Sequence, residues 1–129
     1  MSRKVPVEKW LRSPFVRTLL ELSHLDERIL KTMLLYHWGG DGITFEKIAR
    51  RMNIGQPGAW KRWRRGRDAI IRSFYTLELA IYAGVLEPEV AELLAQDLQD
   101  LAALARAEGD LEELRRRIER RALELLKLR

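Results

Sequence analysis

Five of the seven residues from Lys61 to Arg67 are basic (Lys61, Arg62, Arg64, Arg65 and Arg67), with no acidic residue among them. Lys47, Arg50 and Arg51 lie a little upstream, and residues 44–72 carry nine Lys or Arg against Glu46 and Asp68, a net charge of +7. The chain as a whole carries +5. Cations grouped this way suit a polyanion, because each phosphate they neutralise releases condensed counterions. Arginine adds a planar fork of donors that matches phosphate oxygens or the acceptor edge of guanine. Gln56, just before the cluster, carries an amide that can bond adenine through two atoms at once.

Other chemistries lack their residues. The absence of cysteine excludes a disulfide framework, a zinc–thiolate site and a cysteine nucleophile. His24 and His37 are the two histidines, on different segments and without a carboxylate at ligand spacing, so no metal site is expected. Ser13, Ser23 and Ser73 have no triad context, and no glycine-rich phosphate loop appears. The expectation is a protein that binds rather than catalyses, with no cofactor.

Helices are the elements available to position the cluster. Apolar residues recur at helical spacing, and no β-rich alternating run occurs. Ser13 and Pro14 form an N-cap and first-turn pair that opens a helix with Phe15, Leu19 and Leu22 on one side. Leu25, Ile29, Met33 and Tyr36, with Leu30 and Leu34, form the apolar side of the next, which stops at Gly39-Gly40. Thr44 caps a third, whose apolar face is Phe45, Ile48, Ala49 and Met52. The stretch from Asn53 to Gly58 breaks it, and Pro57 suits the first turn of a following helix that Gly66 is expected to bend or end. A longer apolar helix then holds Ile70, Ile71, Phe74, Leu77, Ala80 and Ile81 and closes near Gly84.

Between Ile48 and Trp63 the chain reads Ile-Ala-Arg-Arg-Met-Asn-Ile-Gly-Gln-Pro-Gly-Ala-Trp-Lys-Arg-Trp. This resembles the helix-turn-helix of bacterial and archaeal transcription regulators, whose usual text is close to I-A-x-x-L-G-I-S-Q-P-T-V-S-R-x-L. The likeness covers about 20 residues within 44–67 and is specific for the motif rather than for one regulator family. Ala49 must be small where the second helix crosses it, and Met52, Ile54 and Trp63 stand where the motif has aliphatic residues. Asn53 is the best non-glycine choice for a left-handed turn. The resemblance implies that the second helix enters the major groove, with Gln56, Gly58, Trp60 and Lys61 facing base edges. Arg62, Arg64, Arg65 and Arg67 would then extend towards phosphates, together with Lys47, Arg50 and Arg51. Gly55 and Gly58 stand where the motif prefers Ser and Thr, and Trp60 replaces a small polar residue. No winged hairpin follows, since Arg64–Asp68 leads straight into more helix.

The rest of the chain is acidic and then basic. Residues 86–113 sum to −8 and residues 114–129 to +5. Pro88 opens a helix with Val90, Leu94, Leu98, Leu101 and Ala105 inward and Leu93 and Leu104 beside them. Gly109-Asp110 divides it from a last helix carrying Leu111, Leu114, Ile118, Ala122, Leu125 and Leu128. Two such helices joined by so short a link make an antiparallel hairpin, in which the opposite charges can neutralise each other. Leu123 and Leu126 form a second apolar edge on the last helix, which points to a homodimer through the C-terminal helices.

The expected fold is therefore all-α, with six or seven helices: a helical domain over 1–85 containing the helix-turn-helix, and a C-terminal hairpin over 86–129. The expected function is duplex-DNA binding, as a small transcriptional regulator or an architectural protein. Two other readings stand beside it. One is an RNA- or single-strand-binding subunit of a ribonucleoprotein complex, with Trp60 as a stacking platform. The other is a protein–protein adaptor with a degenerate helix-turn-helix, which Gly55, Gly58 and Trp60 favour. Trp63 is expected in the core, Trp60 in either core or interface, and Trp10 and Trp38 in helix packing. No apolar run approaches the roughly 18 residues of a membrane span, and a cytoplasmic location is expected. Four side-chain amides and many ionic residues suit a thermophile.

Overall fold

A computed structural model describes residues 6–106 and 109–125. Among them the chain forms seven helices and no strand, an all-α fold. They are α1 (Val7–Leu11), α2 (Pro14–Leu22), α3 (Glu27–His37), α4 (Phe45–Met52), α5 (Gln56–Tyr82), α6 (Pro88–Ala105) and α7 (Leu111–Leu125). The chain divides into two compact units, one up to Tyr75 and one from Thr76, and the division falls inside α5.

In the first unit, α1 is a single short turn of helix that the sequence pattern did not announce. Its Leu11 is 1% exposed, and its Glu8 meets Lys31 of α3 at 2.7 Å. Trp10 meets Trp38 edge-to-face at 5.2 Å. Ser13 occupies the N-cap of α2, but its hydroxyl makes no capping hydrogen bond, and Pro14 supplies the first turn. Val16 is the buried residue of α2 and Leu22 is exposed, so the inward side lies one residue off the expected one. Asp26 caps α3 by accepting from the Ile29 amide at 2.8 Å. Thr32 is fully buried on α3, its hydroxyl donating to the Arg28 carbonyl at 2.8 Å. That local bond satisfies the one polar group the side chain would otherwise leave unpaired.

The core of this unit is Leu35, Ile48, Ala49 and Ala59, with Val7, Tyr36, Ile43, Phe45, Met52 and Ile54 packed around it. Burying a side chain the size of Leu or Ile stabilises a fold by roughly 1.5–3 kcal/mol, so this small cluster fixes where α4 and the start of α5 sit. The helix α5 is uninterrupted: Gly66 neither bends nor ends it. Gly66 is buried instead, because a β-carbon there would overlap the Met33 side chain and lie 2.9 Å from Ile29 Cγ2 of α3. The helical cost of one interior glycine, about 1 kcal/mol relative to alanine, is offset by that close approach.

In the second unit α5 closes at Gly84, which has φ +76°, and the Val85 and Leu86 amides return to the Ala80 carbonyl at 2.9 and 3.2 Å. Glycine meets this left-handed position without a Cβ penalty. α6 and α7 pack as an antiparallel hairpin across Gly109, with Asp110 accepting from the Glu113 amide at 3.2 Å. Leu86, Leu114 and Ile118 are its buried apolar residues. Leu98, Ala105, Leu111, Leu123 and Leu125 are exposed, and Asp97 takes the inward position expected of Leu98. Asp97 accepts from Arg117 Nε at 2.7 Å and pairs with Arg121, while Arg117 also bonds Asp100. Burial pushes the Arg121 guanidinium below its ordinary pKa. The acidic α6 and basic α7 therefore neutralise each other at their contact. Leu126 and Leu128 lie outside the described residues.

Candidate nucleic-acid interface

α4 begins at Thr44, whose hydroxyl accepts from the Lys47 amide at 3.2 Å. It ends at Asn53, which has φ 55° and ψ 47°, the left-handed conformation that Asn tolerates best among non-glycine residues. The Ile54 amide donates back to the Ala49 carbonyl at 3.0 Å, turning the chain within three residues into α5. Ala49 is 3% exposed and Ala59 0%, so small residues on both helices sit in the shared core. Ile54 and Met52 pack on that cluster as expected.

Trp63 does not complete the cluster itself. It lies in an aromatic group with Tyr36 at 5.3 Å and Phe45 at 5.9 Å, and its indole N–H donates to His37 Nε2 at 3.2 Å. An indole donor needs such a partner when partly buried. His37 accordingly serves as a hydrogen-bond acceptor at the end of α3, a role its sequence position gave no sign of.

The first turn of α5 contains no acidic residue, and Asp68 is the first carboxylate on the helix. Gln56 opens the helix, exposed. Gly58 is half-buried, 3.8 Å from Ile54 Cδ1 in the sense that a β-carbon there would make ordinary contact. Lys61, Arg64, Arg65 and Arg67 are exposed and Arg62 is half-buried. Among the described residues Arg51, Lys61, Arg62 and Arg65 meet no carboxylate within ion-pair distance.

The other predicted cations are engaged. Lys47 Nζ donates to the Gly42 carbonyl at 2.9 Å, and Arg50 pairs with Glu46 at 2.6 Å. Arg64 and Arg67 share Asp68 at 3.9 and 3.3 Å. The Arg64 guanidinium lies 5.3 Å from the Trp60 ring centroid, and that of Arg67 5.4 Å from Trp63. Exposed pairs of this kind contribute little, about 0–1 kcal/mol, and a phosphate can displace them.

Lys61, Arg65 and Arg72 follow at spacings of four and seven, so the exposed Arg72 extends the same stripe of α5. The signal for Arg72 is helical spacing, which a bend or an end at Gly66 would hide. Trp60 is 42% exposed, outside the core, and the other three tryptophans are partly buried. No group of three His, Cys, Asp or Glu side chains among the described residues could hold a metal ion. No protein-family model, curated protein or solved structure matches the chain.

Proposed function

We propose that the protein binds duplex DNA through α4 and α5, used as a helix-turn-helix, and acts as a small transcriptional regulator or architectural DNA-binding protein. One observation carries the reading: a left-handed Asn53 leads into a helix whose first three turns lack carboxylates and present Lys61, Arg62 and Arg65 without an ion-pair partner among the described residues. In the docking mode of this motif the N-terminal turns of the second helix meet base edges and the flanking cations meet phosphates. Gln56, Trp60 and Lys61 are the base-facing residues in this reading; Arg50, Arg51, Arg62, Arg64, Arg65 and Arg67 serve the backbone. Gly58 has no side chain to reach a base and is half-buried, with a β-carbon there meeting Ile54 Cδ1 at 3.8 Å. Two reading heads would come from a homodimer, and the exposed Leu123 on α7 supports an apolar contact there. No described helix is long and apolar enough to cross a membrane.

The exposure of Trp60 favours one second reading, in which the indole stacks on bases of single-stranded RNA or DNA. Fluorescence anisotropy with random duplex DNA, single-stranded DNA and single-stranded RNA over a salt series separates the two. The duplex reading predicts the tightest binding to duplex and a slope of about −0.9 log units per phosphate contact. Preference for either single strand would replace it with the stacking reading.

A further inference from the structure

We propose that Trp60 makes the sequence-selective contact of this interface, packing its indole against the 5-methyl group of a thymine in the major groove. The inference rests on the duplex-DNA reading and adds a base to it. Pro57, Trp60, Lys61 and Arg64 follow at i, i+3, i+4 and i+7, which places them on one face of α5, and all four are exposed.

The tryptophans differ in what covers them. Trp10 meets Trp38, and Trp63 meets Tyr36 and Phe45, whereas Trp60 is 42% exposed and has the Arg64 guanidinium beside its ring. A cation held against the ring both orients the indole and keeps a positive charge next to it. Trp60 is thus an apolar surface framed by Lys61 and Arg64, with no carboxylate on α5 before Asp68 to repel a phosphate.

The chemistry of the groove selects the partner. Base-pair edges there are hydrogen-bond donors and acceptors, and the one apolar group among them is the thymine methyl. The indole has a single N–H donor and an apolar six-membered ring. Pressed on a guanine or cytosine edge, the ring would leave donors and acceptors unpaired at a cost. Pressed on a thymine methyl, it removes apolar surface from water on both sides.

The test uses the full chain. Duplexes are selected from a random pool by the wild-type protein, and each fixed thymine is then replaced by deoxyuridine, which removes only the methyl. The selected site should contain a fixed thymine whose replacement weakens wild-type binding about fourfold, the worth of one buried methyl group. Trp60→Ala should bind thymine and deoxyuridine duplexes equally, and Trp60→Phe should keep part of the difference, both with unchanged helical content by circular dichroism. A selected site without fixed thymine, a deoxyuridine duplex bound as well as its parent, or a Trp60→Ala variant still sensitive to the methyl would overturn the thymine contact and leave duplex binding standing. Absence of any duplex binding by the wild type would overturn both.

Discussion

Gly66 of α5 lies against Met33 of α3 with no room for a β-carbon between them. The contact fixes the distance between the two helices within the cationic stretch of α5, between Arg65 and Arg67. Gly66→Val would gain a little helix propensity and would have to push Met33 and the stiff Ile29 aside. Overpacking of this kind costs about 1–3 kcal/mol and exceeds the propensity gain. Gly66→Val should therefore lower stability by about 2 kcal/mol, read as a drop in the urea midpoint at unchanged slope. An unchanged midpoint would mean that α3 and α5 do not approach this closely.

The turn into α5 makes a second prediction. Asn53 holds φ 55°, where a side chain branched at Cβ is strained by about 1–2 kcal/mol and glycine is not. Asn53→Gly should leave the thermal midpoint within about a degree or raise it, and Asn53→Val should lose on the order of 1–2 kcal/mol. Equal effects of the two substitutions would contradict a left-handed residue at this position.

A third concerns the hairpin. Asp97 is 2% exposed and answers both Arg117 and Arg121. Asp97→Ala would leave the partly buried Arg121 guanidinium without its carboxylate and Arg117 with Asp100 alone, a loss of about 3 kcal/mol for breaking a buried pair from one side. Amide hydrogen exchange in α6 and α7 is the measurement, and faster exchange throughout both helices is expected. Exchange confined to the residues around position 97 would show that the ion cluster does not hold the hairpin together.

The sequence disclosed these elements where the cause is local. Thr44 caps α4 because its hydroxyl reaches the Lys47 amide three residues on, and Asn53 turns left-handed by its own preference. Gly84 ends α5 for the same kind of reason. What was hidden depends on residues far away in the chain. Gly66 reads locally as a break, and only Met33, more than thirty residues earlier, makes it a packing residue of a continuous helix. Asp97 reads as surface charge beside an apolar Leu98, until Arg117 and Arg121 of α7 turn that face inward. The cations of the candidate interface were legible by type and spacing. Which of them are held, by Gly42, Glu46 and Asp68, and which are left without partners is a matter of three-dimensional geometry.

In the proposed duplex-DNA reading the exposed cations of α5, rather than positive charge in general, hold the duplex. Lys61→Glu with Arg65→Glu reverses two of those cations, and Arg116→Glu with Arg120→Glu reverses two exposed cations of α7 by the same four units of charge. Duplex affinity of both double variants, measured over a salt series with helical content checked by circular dichroism, compares the sites directly. The α5 variant should lose duplex binding, while the α7 variant should keep affinity within about threefold and an unchanged salt slope. Equal losses from the two variants, or normal duplex binding by the α5 variant, would contradict it.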